Sequence, residues 1–194
     1  YCAQMQPACW QAPTPAVRQL RALIERIEAL RDIRQQEINR MEAGDETMAP
    51  SLQSHIHYLD EAIAQLKHQI DDHLDQHPDL KRQGALVASI PGLGDVTAAK
   101  VLAYAGDVAR FESAGAFAAF IGVIPRLRQS GLHKGRTMMS RSGHAHLRQA
   151  LYMPGMVALR YNPLIAALGE RLRAKGLSGK AIIGAAMHKL AHLI

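Results

Sequence analysis

Apolar residues recur along the first third of the chain at steps of three and four. Val17, Leu20, Ile24 and Ile27 mark one face of a helix that starts with Thr14 as N-cap and Pro15 in the first turn. The same register reaches Ile38 and Met41, crossing Arg31 and Arg34 on the way, so the seam is flawed. Gly44-Asp45 breaks the helix. A second begins near Pro50-Ser51 and carries Leu52, Ile56, Leu59, Ile63, Leu66 and Ile70 in unbroken alternation. Neither helix can bury its own stripe. The pattern therefore predicts a long antiparallel coiled-coil hairpin over 14–79, ended by His77-Pro78, whose helices pair with each other, with another protomer, or both. Residues 1–13 hold Pro7 and Pro13 without periodicity and read as a linker or the tail of an upstream domain.

The rest, 80–194, reads as a compact helical domain. Helices are predicted over 80–89, 95–105, 113–120, 143–160, 163–175 and 178–193, with a polar, basic loop over 123–140. No stretch alternates long enough to build a sheet, so the fold class is all-α. Aromatic residues make up only 5% of the chain, which also favours helix over strand.

Charge divides the chain. The net charge is +6, yet residues 113–194 carry twelve Lys and Arg against one acid, Glu170, and 1–112 are net acidic. From Ser113 to Gly169 there is no carboxylate. One-sided positive charge on a folded segment fits a polyanionic partner, nucleic acid before an anionic membrane surface. No apolar run approaches a membrane span, and no signal peptide is present. Cys2 and Cys9 have no partner ligands nearby, so neither a zinc site nor a disulfide framework follows. They read as free thiols of a cytoplasmic protein. The chain starts at Tyr1 rather than Met, as a piece of a longer protein would.

Two constellations carry chemistry. Residues 86–102, LVASIPGLGDVTAAKVL, have the layout of a helix-hairpin-helix. Gly92 and Gly94 permit tight backbone and leave room for a phosphate, and the helix starting at Asp95 offers free N–H groups and a positive dipole end. Such contacts hold the DNA backbone without reading sequence. The alternative is a plain helix–helix turn. Residues 124–148 gather Arg126, Arg128, Lys134, Arg136, Arg141 and Arg148 around Ser130-Gly131, a composition suited to bidentate phosphate contact. Turn and loop are expected to converge on one surface. His133, His144 and His146 lack a neighbouring carboxylate or cysteine and do not suggest a metal site. A serine nucleophile needs an activating or cationic environment. By local chemistry Ser130 is no better than Ser140 or Ser142, which look like helix caps. His133 is the nearest base candidate, and Tyr152 reads as core among Leu151, Met153 and Met156.

IPGLG, FESAGAFAAFIG, IPRLRQSG, SRSGHAHLRQALY and NPLIAALGERLRAKG occur in an order and spacing that resembles the C-terminal transposase domain of the insertion-sequence "one-ten" family, which includes pilin-gene invertases. The resemblance is close over about 110 residues and looser over the hairpin. It implies a DNA recombinase in which a serine of a Ser-Gly pair, here Ser130 with Gly131, attacks DNA. It also implies an upstream RuvC-like domain whose Asp-Glu-Asp-Asp set binds Mg2+, in some members a guide noncoding RNA, and homo-oligomers formed through the coiled coil. This chain contains no RuvC-like segment, so on that reading it requires no cofactor, binds nucleic acid and does not cut alone. The competing reading is a non-catalytic helix-hairpin-helix DNA-binding module on a coiled-coil dimeriser. A third is a structural adaptor.

Overall fold

Thr14 opens the first helix as its sequence suggests. Its Oγ1 accepts the Val17 N–H at 3.4 Å, and Pro15 occupies the first turn. In the computed structural model, which describes residues 4, 12–44, 46–126, 129–130, 133–135 and 137–194, this helix is α1 (Pro15–Ala43). A 3-10 turn (Glu46–Met48) leads into α2 (Ala49–Asp75). The two run antiparallel. His73 Nε2 donates to the Ala16 carbonyl (2.9 Å) at one end, Arg34 pairs with Asp60 midway, and His55 meets Glu37 (3.1 Å) towards the other.

The seam departs from the pattern expected for α1. Val17, Leu20, Ile24, Ile27 and Leu30 are buried, but Met41 is exposed and the next buried position is Glu37. Its carboxylate is satisfied by His55 and by Arg40 (3.0 Å). Arg34 does not break the seam, because it lies beside it and forms a two-pronged bond with Asp60 at 2.6 and 3.1 Å.

α3 (Pro78–Ala88) and α4 (Asp95–Ala105) follow, joined by the glycine turn. α4 is buried over most of its length, from Ala98 to Ala105 apart from Lys100, because α3 and α1 cover it. The buried hydrophobic residues of the hairpin and of the domain form one cluster, running from Leu20 to Ala191. α5 (Ala114–Ile121) is capped by Ser113, whose Oγ accepts the Ala116 N–H (3.1 Å), and ends in left-handed Gly122.

The basic segment after α5 contains strand pairing where only a loop was expected. β1 (Pro125–Arg126) pairs antiparallel with β4 (Met138–Met139), and β2 (Gln129–Ser130) with β3 (His133–Lys134). Two-residue ladders leave no readable alternation. The helix expected over 143–160 is two, α6 (Ala145–Ala150) and α7 (Tyr152–Tyr161). Pro154 lacks the N–H that would bond the Ala150 carbonyl, so the ladder falters at Leu151. α8 (Pro163–Ala174) and α9 (Gly179–Leu193) complete an all-α domain, and α9 packs on α5, α7 and α8. Among the described residues no helix is long and apolar enough to cross a membrane.

Candidate nucleic-acid interface

The β pairing turns the basic segment into a hairpin with a fixed root. Ser130 is exposed at the end of β2, opposite His133 in the ladder. Arg126 is exposed on β1, opposite Met138. Arg128, Gly131 and Arg136 lie outside the described residues, as does the side chain of Lys134.

The root is built by backbone bonds between the end of α5 and residues 140–144. Ser140 N–H donates to Ile124 O (2.9 Å), Arg141 N–H to Gly122 O (3.3 Å) and His144 N–H to Phe120 O (2.7 Å). Gly143 sits so close to α5 that a Cβ there would lie 2.6 Å from the Phe120 carbonyl oxygen. Arg141, exposed, has φ of 56°, a sparsely populated conformation for a residue with a Cβ. Arg148 reaches back from α6, and its Nη1 donates to both Ile121 O and Arg141 O at 3.2 Å. Of the two arginines picked from sequence in this stretch, Arg141 presents its side chain to solvent, and Arg148 is half-buried and bonded to the root. Ser142 is not the helix cap expected of it. His144 caps α6, Nδ1 accepting the Leu147 N–H at 3.4 Å.

The glycine turn has a different logic at each glycine. Gly92 has φ of +106°, and a Cβ there would stand 2.7 Å from the Cβ of Ala158 on α7. Close packing of protein against protein accounts for it. Gly94 is exposed with open space where a Cβ would be, at the N-terminus of α4, whose first turn carries Asp95. Turn and hairpin root sit at opposite ends of α4. His144 meets the ring of Tyr104, near the last residue of α4, at 4.8 Å, whereas Gly94 precedes its first. That separates them by on the order of 15 Å along the helix axis.

A polar and aromatic cluster that the sequence did not single out joins hairpin, α4 and root. Glu28 of α1 accepts from Lys100 (2.6 Å) and from the Tyr104 hydroxyl (3.0 Å), and His146 lies 3.5 Å away. Arg21 donates to the carbonyls of Ala103 (2.9 Å) and Tyr104 (3.3 Å). Burial opposes ionisation of Glu28, but the Lys100 and Tyr104 hydrogen bonds outweigh it and hold the carboxyl below its ordinary value. Burial, and then the bond to Glu28, push the Tyr104 phenol up. Burial also lowers His144, reinforced by the charges of His146, Arg21 and Arg148. These partners come from three distant segments, so no local spacing announces them.

The helical domain thus carries an exposed hairpin on a root closed by backbone bonds, and its sequence is similar to those of several known proteins. The chain is 34% identical over 194 residues to the pilin gene-inverting protein of Moraxella bovis, covering 98% of this chain and 60% of that protein. It is 33% identical over 102 residues to the transposase for insertion sequence element IS1111A of Coxiella burnetii, covering 53% of this chain and 27% of that one. An uncharacterized 43.6 kDa protein of insertion element IS110 from Streptomyces coelicolor is 29% identical over 129 residues, 66% of this chain and 31% of its own length. Residues 84–170 match the transposase IS116/IS110/IS902 family. The chain spans about three fifths of the pilin gene-inverting proteins it matches, 60% of each.

Proposed function

We propose that this chain is the DNA-gripping and serine-bearing part of a transposase or site-specific invertase. The observation that carries the reading is the placement of Ser130: exposed, at the end of a short ladder, on a basic hairpin whose root is locked by Gly122, Gly143 and Arg148. Arg126 and Arg141, with Arg128, Lys134 and Arg136 of the same segment, supply cations for phosphates on either side of the serine. Gly131 lets the strand approach, and Gly94 with the N-terminus of α4 adds a backbone contact at the far end of that helix.

In the proposed reaction the Ser130 oxygen attacks a backbone phosphorus. The Oγ–P bond forms as one P–O ester bond of the strand breaks, the serine proton leaves, and the departing DNA oxygen takes up a proton. Cations around the phosphate stabilise charge as it develops. The bond energy is kept in the phosphoserine, so reversal rejoins DNA. Among the described residues no three His, Cys, Asp or Glu side chains gather as a metal site would require. On this reading Mg2+ belongs to a separate RuvC-like domain. Exposed Met41 and Met48 at the far end of the helical hairpin support association with a second copy, and the basic surface suits a guide RNA as well as DNA.

The test has two parts. Duplex DNA binding by this chain should weaken steeply with salt, by a log–log slope of roughly −3 or more, as several phosphates are neutralised. Absence of salt-sensitive binding overturns the reading. In a recombinase carrying this chain with its metal-binding domain, Ser130→Ala should abolish the covalent protein–DNA species on a denaturing gel. Its persistence removes Ser130 as nucleophile.

A further inference from the structure

The root of the Ser130 hairpin lies along α9, and two contacts give its direction. His188 of α9 faces the Val123 carbonyl at the start of the outgoing leg. One helical turn nearer the start of α9, Gly184 backs onto β4: a Cβ there would lie 3.0 Å from Met139 Cε. Met139 is the ladder partner of Pro125. From Val123 to Pro125 an extended leg advances about 6–7 Å, and α9 rises about 6 Å between His188 and Gly184. The outgoing leg therefore runs antiparallel to α9, towards its first turn.

The same four-residue step leads from His188 and Gly184 to Lys180, so all three share one face of α9. Lys180 is exposed, as is Lys175, the C-cap of α8 across the short α8–α9 corner. The corner is closed by its own backbone. Gly176 takes φ of +77°, and the Leu177 N–H bonds the Leu172 carbonyl at 3.2 Å. Among the described residues neither lysine has a hydrogen bond or an ion pair. Glu170 lies five residues before Lys175, and no carboxylate follows it in the chain. Exposed Arg126 on β1, one residue beyond Pro125, is carried by the same leg towards Lys180. Hairpin and corner thus form one run of cations with nothing inside the protein to neutralise the two lysines.

We propose that Lys175 and Lys180 form a second phosphate-binding edge, holding the backbone of the DNA duplex beyond the segment that the Ser130 hairpin engages. The proposal rests on the reading of that hairpin as a DNA grip, and extends it to a corner more than 40 residues later in the chain. A lysine ammonium is a point charge that meets a phosphate without reading a base, so the edge adds affinity and fixes position rather than sequence.

The experiment follows binding of this chain to a DNA duplex of about 25 base pairs by fluorescence anisotropy as salt is raised. Lys175→Gln and Lys180→Gln should each lower the log–log salt slope by about one, and the double variant by about two. The losses should be equal on unrelated duplex sequences. Lys189→Gln supplies the control: it is an exposed lysine on the same helix, nine residues from Lys180 and so on the opposite side. It should leave the slope unchanged. Far-UV circular dichroism confirms that each variant is folded. If the parent binds duplex with a steep slope and both lysine variants keep that slope, this proposal fails and the reading of the Ser130 hairpin stands. An equal fall for Lys189→Gln also overturns it, because net charge rather than place would then govern binding. A slope change seen only with an RNA of the same length overturns it too. Absence of salt-sensitive duplex binding by the parent overturns both.

Discussion

The buried amide of Asn162 joins the glycine turn to the α7–α8 corner: Nδ2 donates to the Pro91 carbonyl at 3.1 Å, and Oδ1 accepts the N–H groups of Leu164 and Ile165. One side chain caps α8 and satisfies a turn 71 residues away in sequence. Asn162→Ala removes the cap and the bond that ties the Pro91 carbonyl to the α7–α8 corner. It should destabilise the chain by about 2–3 kcal/mol. Asn162→Asp keeps the acceptor and loses the donor to Pro91, so it should fall between. Urea denaturation followed by circular dichroism ranks them, and an alanine variant as stable as the parent contradicts the assignment.

The two turn glycines should separate under substitution. Gly92→Ala places a Cβ against Ala158 at a positive φ, and about 2 kcal/mol or more of stability should be lost. Gly94→Val meets open space and should keep the fold. If the N-terminus of α4 touches DNA backbone, Gly94→Val weakens binding equally across duplex sequences. Loss at one sequence alone would contradict backbone recognition. Melting curves and fluorescence anisotropy with unrelated duplexes give both readouts.

Much of this architecture was legible along the chain because its signals are local. Caps and prolines such as Thr14-Pro15, Ser113 and Asn162-Pro163 set helix starts within a residue or two, and the period-3.6 stripes of α1 and α2 set the hairpin. Legibility ended where distance in sequence took over. Glu37 is tolerated in the seam only because His55 comes across to meet it. Tyr152 and Met153 look like core until Gly155 and Ala158 are seen to fill the interior. The hairpin around Ser130 rests on ladders too short to alternate, and its root on bonds between residues 120–124 and 140–148. The convergence of glycine turn and basic loop was expected from charge and glycine alone. α4 holds them at its two ends instead, and Ser130 is in the open.

Acid should loosen the α4–root junction in two stages. His144 binds its proton more weakly in the fold than its ordinary value of 6.5, because it is partly buried and stands near the charges of His146, Arg21 and Arg148. Folding favours the neutral ring, so this contribution is complete above about pH 6.5 and declines as pH falls below it. His188, lowered by burial and by His192, acts in the same direction. Glu28 is held below its ordinary value of 4.5, so its contribution is present above that pH and is lost as pH falls further. His144→Asn retains a capping acceptor without a titrating group and should flatten the part of the stability–pH curve below 6.5 that His188 does not supply. Glu28→Gln should flatten the limb below 4.5. A His144→Asn curve that superimposes on the parent would show that His144 is not responsible.

Arg148 offers the clearest separation between holding the hairpin and holding DNA. Its Nη1 bridges Ile121 O and Arg141 O, tying the outgoing and returning legs of the Ser130 hairpin to α6. Lysine keeps the charge but carries it on a flexible stem without the planar guanidinium that fixes Nη1 between the two carbonyls, so the double contact is weakened. A positioning role predicts that Arg148→Lys speeds amide hydrogen exchange at Ser140, Arg141 and His144, the donors that close the root. It also predicts that Arg148→Ala leaves the salt slope of duplex binding unaltered. A phosphate-contacting role predicts the reverse: Arg148→Ala lowers the slope by about one, and Arg148→Lys behaves as the parent in exchange. Arg141→Gly supplies the control, since it relieves the positive φ while deleting an exposed cation. It should leave the root intact and lower the slope by about one if Arg141 meets a phosphate.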